Sequence, residues 1–550
     1  MKIVIIGAVA AGTSAAAKAR RNDEEAEIII YDKDVDISYS GCGLPYYIGN
    51  KVEDRAEIVP RDSKFFKKKY NVDIFTQHEV LDLDAVAKKL TIKNLKTEEV
   101  FAQDFDKLVI ATGASAFVPN IKGIDKTNVF YLRNVQSADK IKAFINKNNP
   151  KKAVIVGSGF IGLEMTENLK DLGIDVTVVE LAPQVMPAMD SDMALYVEKY
   201  LKEKEINLVL GDSVAAIEGE FPNTKVILSS GREIETDFII TAVGIKPNIQ
   251  LAKKSGIHIG ETGAIKVNKK MQTNFEYISA CGDCAESYSL ITGKSIYIPL
   301  GSTANKTGRI VGEALNGGNL EFRGILGTGI FKVFDMVIAF TGLSEKEALK
   351  EGYEIAVCHN TKPDKATYCG GEEMTIKAVA DKNTGKLLGV QIVGTNGVDK
   401  RIDVFATAIT FGAKVEDLFH LDLAYAPPFS TAKDPVMYTG MILDNAINRD
   451  RKLITPKELQ TLIEQEKDFT VIDTRIEKQY EKAHVGEAIN IPHGEIRTKC
   501  YELDKGDIII TYCNKGTTGN AVQNILINRG FKKVYNISGG YKNYSAQVNK

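Results

Sequence analysis

One rhythm of apolar and polar positions occurs twice in the chain. Lys2-Ile3-Val4-Ile5-Ile6 is an almost unbroken apolar run rich in β-branched residues, the signature of a strand covered on both faces. A small-residue turn from Gly7 to Gly12 leads into an alanine-rich run that predicts a helix over about 13–21, and the next run, Glu27–Tyr31, ends in Asp32. At Lys152–Val156 the rhythm returns with a strand, then the turn Gly157–Gly162, a helix to about Leu172, and a strand Val176–Val179 ending in Glu180. Each copy reads strand, glycine turn, helix, strand, acid. Asp106–Gly113 and Asp237–Gly244 predict strands that run into small-residue turns, and residues 321–445 mix strands and helices around the turn Asn383-Thr384-Gly385 and the strand Leu387–Gly394. Beyond the charged stretch Asn448–Lys452, Thr455 reads as an N-cap with Pro456 at the first helical position, followed by strands at Phe469–Arg475 and Asp507–Tyr512. The pattern as a whole predicts an α/β protein.

Composition narrows this picture. A chain of 550 residues exceeds one core and predicts several domains. The hydrophobic share of 44% and charged share of 26% are those of a soluble globular protein, and a net charge of −2 gives no reason to expect nucleic-acid binding. No apolar run reaches bilayer length, and the run before Gly7 is too short for a signal peptide, so a cytoplasmic protein with no membrane or nucleic-acid partner is expected. The seven cysteines are odd in number and scattered, which argues against a disulfide framework. Cys281 and Cys284 have the spacing of a zinc or redox pair, but Asp283 between them belongs to a motif with another explanation, and no metal is expected.

The glycine turns carry the first chemistry. They permit a tight turn and close approach of a pyrophosphate to a helix N-terminus, and the acid 20–25 positions on suits ribose hydroxyls. The first turn departs from G-x-G-x-x-G at Val9; the second, Gly157-Ser158-Gly159-Phe160-Ile161-Gly162, is complete. Two such folds imply two dinucleotides, usually a flavin and a nicotinamide. Glu180 favours NADH because a carboxylate repels a 2′-phosphate, with NADPH left open because loop cations can compensate. The second chemistry is Cys42, in Ser38-Tyr39-Ser40-Gly41-Cys42-Gly43-Leu44-Pro45, whose sulfur partner must lie outside the loop. Ser14, Lys18 and Arg21 fall on one helical stripe, which reads either as a phosphate-binding face or as a solvated one.

Asp106–Gly113, Asp237–Gly244 and Ile278-Ser279-Ala280-Cys281-Gly282-Asp283-Cys284-Ala285 resemble the two-dinucleotide-binding flavoprotein disulfide reductases. The resemblance implies FAD on Gly7, Val9, Ala11, Gly12, Asp32, Lys33, Ala111, Thr112 and Gly113, with Asp283 on the ribityl chain. It implies NAD(P)H on Gly157, Gly159, Phe160, Ile161, Gly162, Glu180 and Gly244. The single Cys42, with Pro299–Lys306, is similar to the coenzyme A-disulfide reductases and their NADH oxidase and peroxidase relatives. The first branch implies a Cys42–CoA mixed disulfide with Ser14, Lys18, Arg21, Ser38 and Asn305 on CoA; the second implies a Cys42 sulfenic acid. Thiolate chemistry requires Cys42 to be deprotonated, and the flavin, the start of the first helix and nearby tyrosines are expected to lower its pKa. Tyr368 and Tyr425 match tyrosines that reach the catalytic cysteine of the other subunit, which implies a homodimer. Cys369 departs from that pattern and reads as a passive substitution.

The tail resembles a single rhodanese domain, with Cys513 as the sulfur carrier and Asn514, Lys515, Gly516, Thr517, Thr518 and Gly519 as its loop. Thr518 stands where such loops often carry an arginine, which puts thiosulfate chemistry in doubt, and Lys515 is the loop residue expected to supply charge. The expected division is 1–115 with 240–320 for FAD, 116–239 for NAD(P)H, 321–446 for a dimerisation domain, 447–453 for a linker and 454–550 for the rhodanese-like domain. The expected function is FAD-dependent, NAD(P)H-driven reduction of CoA persulfide, CoA disulfide or polysulfide, with Cys513 handling sulfane sulfur. Two alternatives stand beside it: an oxidase or peroxidase working through Cys42 sulfenic acid, and a persulfide sulfurtransferase with a redox-sensing flavin module.

Overall fold

The computed structural model describes residues 1–465 and 467–548. It comprises two compact units: Met1–Pro183 with Ile206–Gly327, and Gln184–Glu205 with Thr328–Lys550.

The first unit holds two parallel five-stranded sheets of the same design. In one, Lys2–Ile6 lies at the centre, flanked by Glu27–Asp32 and then Asp73–Thr76 on one side, and by Lys107–Ile110 and then Ile278–Ala280 on the other. In the second, Lys152–Val156 is central, with Asp175–Glu180 and Asn207–Leu210 on one side and Phe238–Thr241 and Val129–Tyr131 on the other. Both central strands are covered on both faces, so Ile3, Val4 and Ile5 of one and Val154 and Ile155 of the other are fully buried, as their apolar runs require. The expected α/β class and its two dinucleotide folds are therefore present.

The first helix is longer than its alanine run suggested, Ala10–Asn22. It packs closely on the helix Gly301–Ala314, where a Cβ added to Gly308 would fall 2.3 Å from the Ala11 carbonyl oxygen. Its C-terminus is closed by Arg20, whose buried guanidinium donates to the carbonyls of Tyr70, Asp23, Glu24, Ala26 and Asn71. Arg20 is thus a structural cation turned away from the stripe of Ser14, Lys18 and Arg21.

The second unit holds an antiparallel sheet in the order Gly329–Val333, Met336–Gly342, Leu387–Gly394, Glu373–Asp381, Ile355–Pro363, with helices Val398–Thr410 and Pro435–Asn448. The expected turn at 383–385 joins two of its strands. The tail forms a parallel sheet ordered Leu453–Ile454, Lys533–Ile537, Ile508–Tyr512, Thr470–Asp473, Ile489–Asn490. Thr455 caps the helix Pro456–Glu464 in a reciprocal capping box with Glu458, as its sequence required. Among the described residues, no helix is long and apolar enough to cross a membrane.

Within this unit a buried ionic cluster ties the antiparallel sheet to its neighbours. Lys377, 1% exposed, sits among Asp190, Asp192 and Glu345, at 3.2, 2.8 and 2.6 Å. His359 Nε2 lies 2.8 Å from Asp192, and the His359 amide donates to Ser538 Oγ of the tail at 2.7 Å. Burial alone would raise the Asp192 carboxyl, but the His359 bond and the Lys377 charge outweigh it and hold it well below the usual carboxylate range.

Candidate active site

Both glycine turns are built alike. Gly7 and Gly157 take φ of +107° and +101°, and a Cβ would fall 2.2 Å from Ala111 O at the first and 2.6 Å from Ala242 O at the second. The middle position differs. A Cβ on Gly159 would meet nothing within 4 Å, so the matching position of the first turn accepts Val9, which caps the first helix. Phe160 and Ile161 open the helix Phe160–Asp171, and Gly244, at φ +107°, ends the loop after Phe238–Thr241.

The acids after each turn also correspond. Asp32 accepts from the Ala8 amide at 2.6 Å and from Asp34 N at 2.8 Å. Glu180 accepts from Ser158 N and Oγ at 2.9 and 2.7 Å and from Ala182 N at 2.9 Å. Burial pushes Asp32 up to about 6, against the amides of Asp34 and Ala8. A carboxylate in that state gains from further donors such as ribose hydroxyls. A cavity of about 530 Å³ opens on it, lined also by Gly7, Val9, Ala11, Lys33, Ala111, Thr112, Gly113, Gly282 and Asp283. Gly12 has a packing role instead, its absent side chain admitting the Gly7 carbonyl. Asp283 is bonded by Arg133 at 3.0 Å, a partner the sequence gave no reason to expect.

Cys42 sits exposed in the turn Gly41–Gly43, immediately before the short helix Leu44–Ile48. The loop is pinned by Ser38 N to Ala8 O at 2.9 Å and Ser40 N to Ile58 O at 2.8 Å. The short helix packs against Phe160–Asp171, so the Cys42 turn is anchored to both glycine turns. The expected lowering of the thiol pKa is not supplied by the protein's own groups. Desolvation, then the charges of Glu164 and Asp283, push Cys42 up, and Arg133 opposes them. Glu164 is itself pushed up to about 7 by burial and by Glu167, against a hydrogen bond from Tyr46. Cys281 and Cys284 are fully buried and burial raises both thiols, which marks them as inert core residues.

A second cavity, about 410 Å³, lies on the other side of the first helix's start. Ser14, Lys18, Arg21, Ser38 and Asn305 all line it, together with Arg61, Arg309, Tyr70 and Tyr39. Ser14 Oγ bonds Asn305 Oδ1 at 2.7 Å. Lys18 is paired with Glu313 at 2.6 Å, so its charge is already matched. Among the described residues, Arg21, Arg61 and Arg309 have no ion-pair partner. Arg61 and Arg309 come from distant segments and were invisible to helical spacing.

In the second unit, Tyr368 and Tyr425 are 79% and 54% exposed, and Cys369 shares the turn Thr367–Cys369. Cys513, 7% exposed, follows the strand Ile508–Tyr512 and precedes the helix Thr517–Asn528, with Gly516 at φ +87° as N-cap. Asn514 through Gly519 form the turn and the helix start that follow it. Tyr541 N bonds Cys513 O at 2.8 Å, and Lys542 N bonds Asn514 O at 3.0 Å. Arg475 braces the loop: it grips Asp473 with Nε and Nη2 and reaches Asn514 Oδ1 at 3.2 Å, while Tyr512 donates to Asp473 at 2.7 Å. Lys515, the loop residue expected to supply charge, shares Glu373 of the antiparallel sheet with Lys542.

Comparison with known proteins finds family matches over most of the chain. Residues 1–299 match the pyridine nucleotide-disulphide oxidoreductase model, 329–435 its dimerisation domain, and 455–547 a rhodanese-like domain. The CoA-dependent NAD(P)H sulfur oxidoreductase of Pyrococcus furiosus is 38% identical over 446 residues, 80% of this chain and 99% of its own. The coenzyme A disulfide reductase of Staphylococcus aureus is 35% identical over 441 residues, 80% of this chain and 99% of its own. Among solved structures, reduced Bacillus anthracis CoADR-RHD superposes with a TM-score of 0.96 at 39% identity, covering 99% of this chain and 98% of that one. An NAD-dependent persulfide reductase from A. fulgidus gives 0.91 at 37%, covering 99% and 100%.

Proposed function

Because the chain belongs to the pyridine nucleotide-disulphide oxidoreductase family, we propose that it uses NAD(P)H to reduce the persulfide of coenzyme A, with CoA disulfide and polysulfide as related acceptors. The observation that carries this reading is the 410 Å³ cavity whose wall includes Ser38 and Tyr39 of the Cys42 loop and the unpaired cations Arg21, Arg61 and Arg309. That wall suits a polyanionic nucleotide carrying a thiol.

In this reading Cys42 thiolate attacks the CoA-bound sulfur of a CoA persulfide. The Cys42–S–S–CoA bond forms as the persulfide S–S bond breaks, and hydrosulfide leaves with the electron pair. With CoA disulfide the leaving group is CoA thiolate. FAD, when bound, supplies the two-electron chemistry that links NAD(P)H to that mixed disulfide. Gly7, Val9, Ala11, Asp32, Lys33, Ala111, Thr112, Gly113 and Asp283 are the residues that would hold it, with Gly12 packing the turn behind them, and the half-buried Asp32 fits a ribose. Gly157, Gly159, Phe160, Ile161, Gly162, Glu180 and Gly244 serve NAD(P)H, with Glu180 favouring NADH. The homodimer and the cytoplasmic location belong to the same proposal. The dimerisation-domain match and the exposure of Tyr368 and Tyr425 support a pairing in which these phenols serve Cys42 of the partner subunit.

The test is anaerobic turnover with NADH and with NADPH against CoA persulfide, CoA disulfide, polysulfide and peroxide, with mass analysis of Cys42. CoA on Cys42 and rapid sulfide release are expected. Fast peroxide reduction, a Cys42 sulfenic acid and negligible sulfide release would instead establish the oxidase-peroxidase reading, which the 36%-identical NADH oxidase of Methanocaldococcus jannaschii keeps in view.

A further inference from the structure

The loop Asn514–Gly519 contains one basic residue, Lys515, which shares the carboxylate of Glu373 with Lys542. Another cation reaches the loop from outside the tail. Lys362, on the edge strand Ile355–Pro363 of the antiparallel sheet, donates from Nζ to Thr517 Oγ1 at 3.0 Å, at the first residue of the helix behind the Cys513 loop. Its ammonium nitrogen lies over the ring of Tyr438, 4.1 Å from the centroid. Among the described residues it has no carboxylate partner.

We propose that Lys362 is a specificity-determining residue of the Cys513 loop, selecting sulfane-sulfur donors that enter as anions. Backbone amides at a helix N-terminus stabilise negative charge at short range, and Lys362 adds a formal positive charge that, among the described residues, has no carboxylate in ion-pair contact. Burial, and then the like charge of Lys515, push the Lys362 ammonium down, against the charges of Cys513 and Glu373; an arriving anion offsets that cost. The sulfurtransferase site is then composite, its thiol and amides from the tail and its counter-charge from the neighbouring sheet of the same unit. This places anionic donors within its range although position 518 is threonine.

The inference rests on Cys513 being the sulfur acceptor. With thiosulfate, Cys513 thiolate attacks the outer sulfur. The Cys513–S bond forms, the donor S–S bond breaks, and sulfite leaves with the electron pair, so no external oxidant or reductant is needed.

The full-length protein, its Lys362→Gln and Lys362→Arg variants, and Cys513→Ser as the blank are compared in two assays. The first is sulfur transfer from thiosulfate to cyanide across ionic strengths. The second is protection of Cys513 by thiosulfate against iodoacetamide, read by mass spectrometry. Lys362→Gln is expected to raise the thiosulfate KM by about tenfold or more and to flatten its salt dependence, while Lys362→Arg restores both. Protection lost in Lys362→Gln and kept in Lys362→Arg supports the role even if the unaltered protein transfers no sulfur, an outcome that would sink only the acceptor reading of Cys513. Equal KM and equal protection in the unaltered protein and Lys362→Gln overturn the proposal, as does the absence of both transfer and protection in the unaltered protein.

Discussion

The two sulfur sites solve opposite problems. Cys42 is an exposed thiol on a short turn, beside a cavity large enough for part of a nucleotide. Cys513 is a buried thiol in a loop fixed by Arg475, Asp473 and the backbone of Tyr541. The first suits a partner sulfur that arrives on a large carrier; the second suits a sulfur atom handed over and kept. The surroundings follow suit. Burial and nearby carboxylates disfavour the Cys42 thiolate in the protein alone, while the Cys513 loop is approached by a lysine.

The sharpest way to break this comparison is Cys42→Ser. Sulfide release driven by NAD(P)H is expected to fall by roughly three orders of magnitude or more, while mass analysis still finds sulfur on Cys513; undiminished release would dissolve the distinction. Next in size is Lys377→Met, which takes the buried counter-charge from Asp190, Asp192 and Glu345 and should cost about 3–5 kcal/mol in denaturant unfolding. The same cluster gives a pH signature. Asp192 has a lowered folded pKa, so its stabilisation is present above the unfolded carboxylate value of about 4 and is lost as the pH falls through the lower folded one. Acid unfolding that is identical in Lys377→Met and the parent would contradict this. Asp473→Asn removes the carboxylate that Arg475 grips and should cost about 1.5–3 kcal/mol, with faster alkylation of Cys513 and no change at Cys42. The smallest effect is expected from Glu164→Gln. Removing that charge should lower the pH midpoint of Cys42 alkylation by less than about one unit, and a midpoint that stays put would show that Glu164 does not govern the thiol.

Much of this was legible in the chain because local rules dominate there. The two glycine turns, their flanking apolar strands and the Thr455–Glu458 capping box are short-range devices, and each is found where its residues stand. Ser14, Lys18 and Arg21 share a cavity because helical spacing put them on one stripe. What stayed hidden depends on long-range pairing. Arg61 and Arg309 meet at that cavity from segments hundreds of residues apart, Arg133 pairs with Asp283 across 150 positions, and Lys362 reaches Thr517 across 155. Spacing also could not show that Glu313 matches Lys18 or that Glu373 takes Lys515, since a carboxylate's choice of partner is decided only by packing.

Val9, Ala10 and Tyr39 line both cavities of the first unit, one helix start forming a party wall between them. With a flavin and coenzyme A in these two chambers, as proposed, each would order residues the other must touch, and their affinities would be linked. Loss of the dinucleotide is then felt by its neighbour: preparations stripped of flavin would shed coenzyme A as well, and refilling either chamber would raise retention in the other.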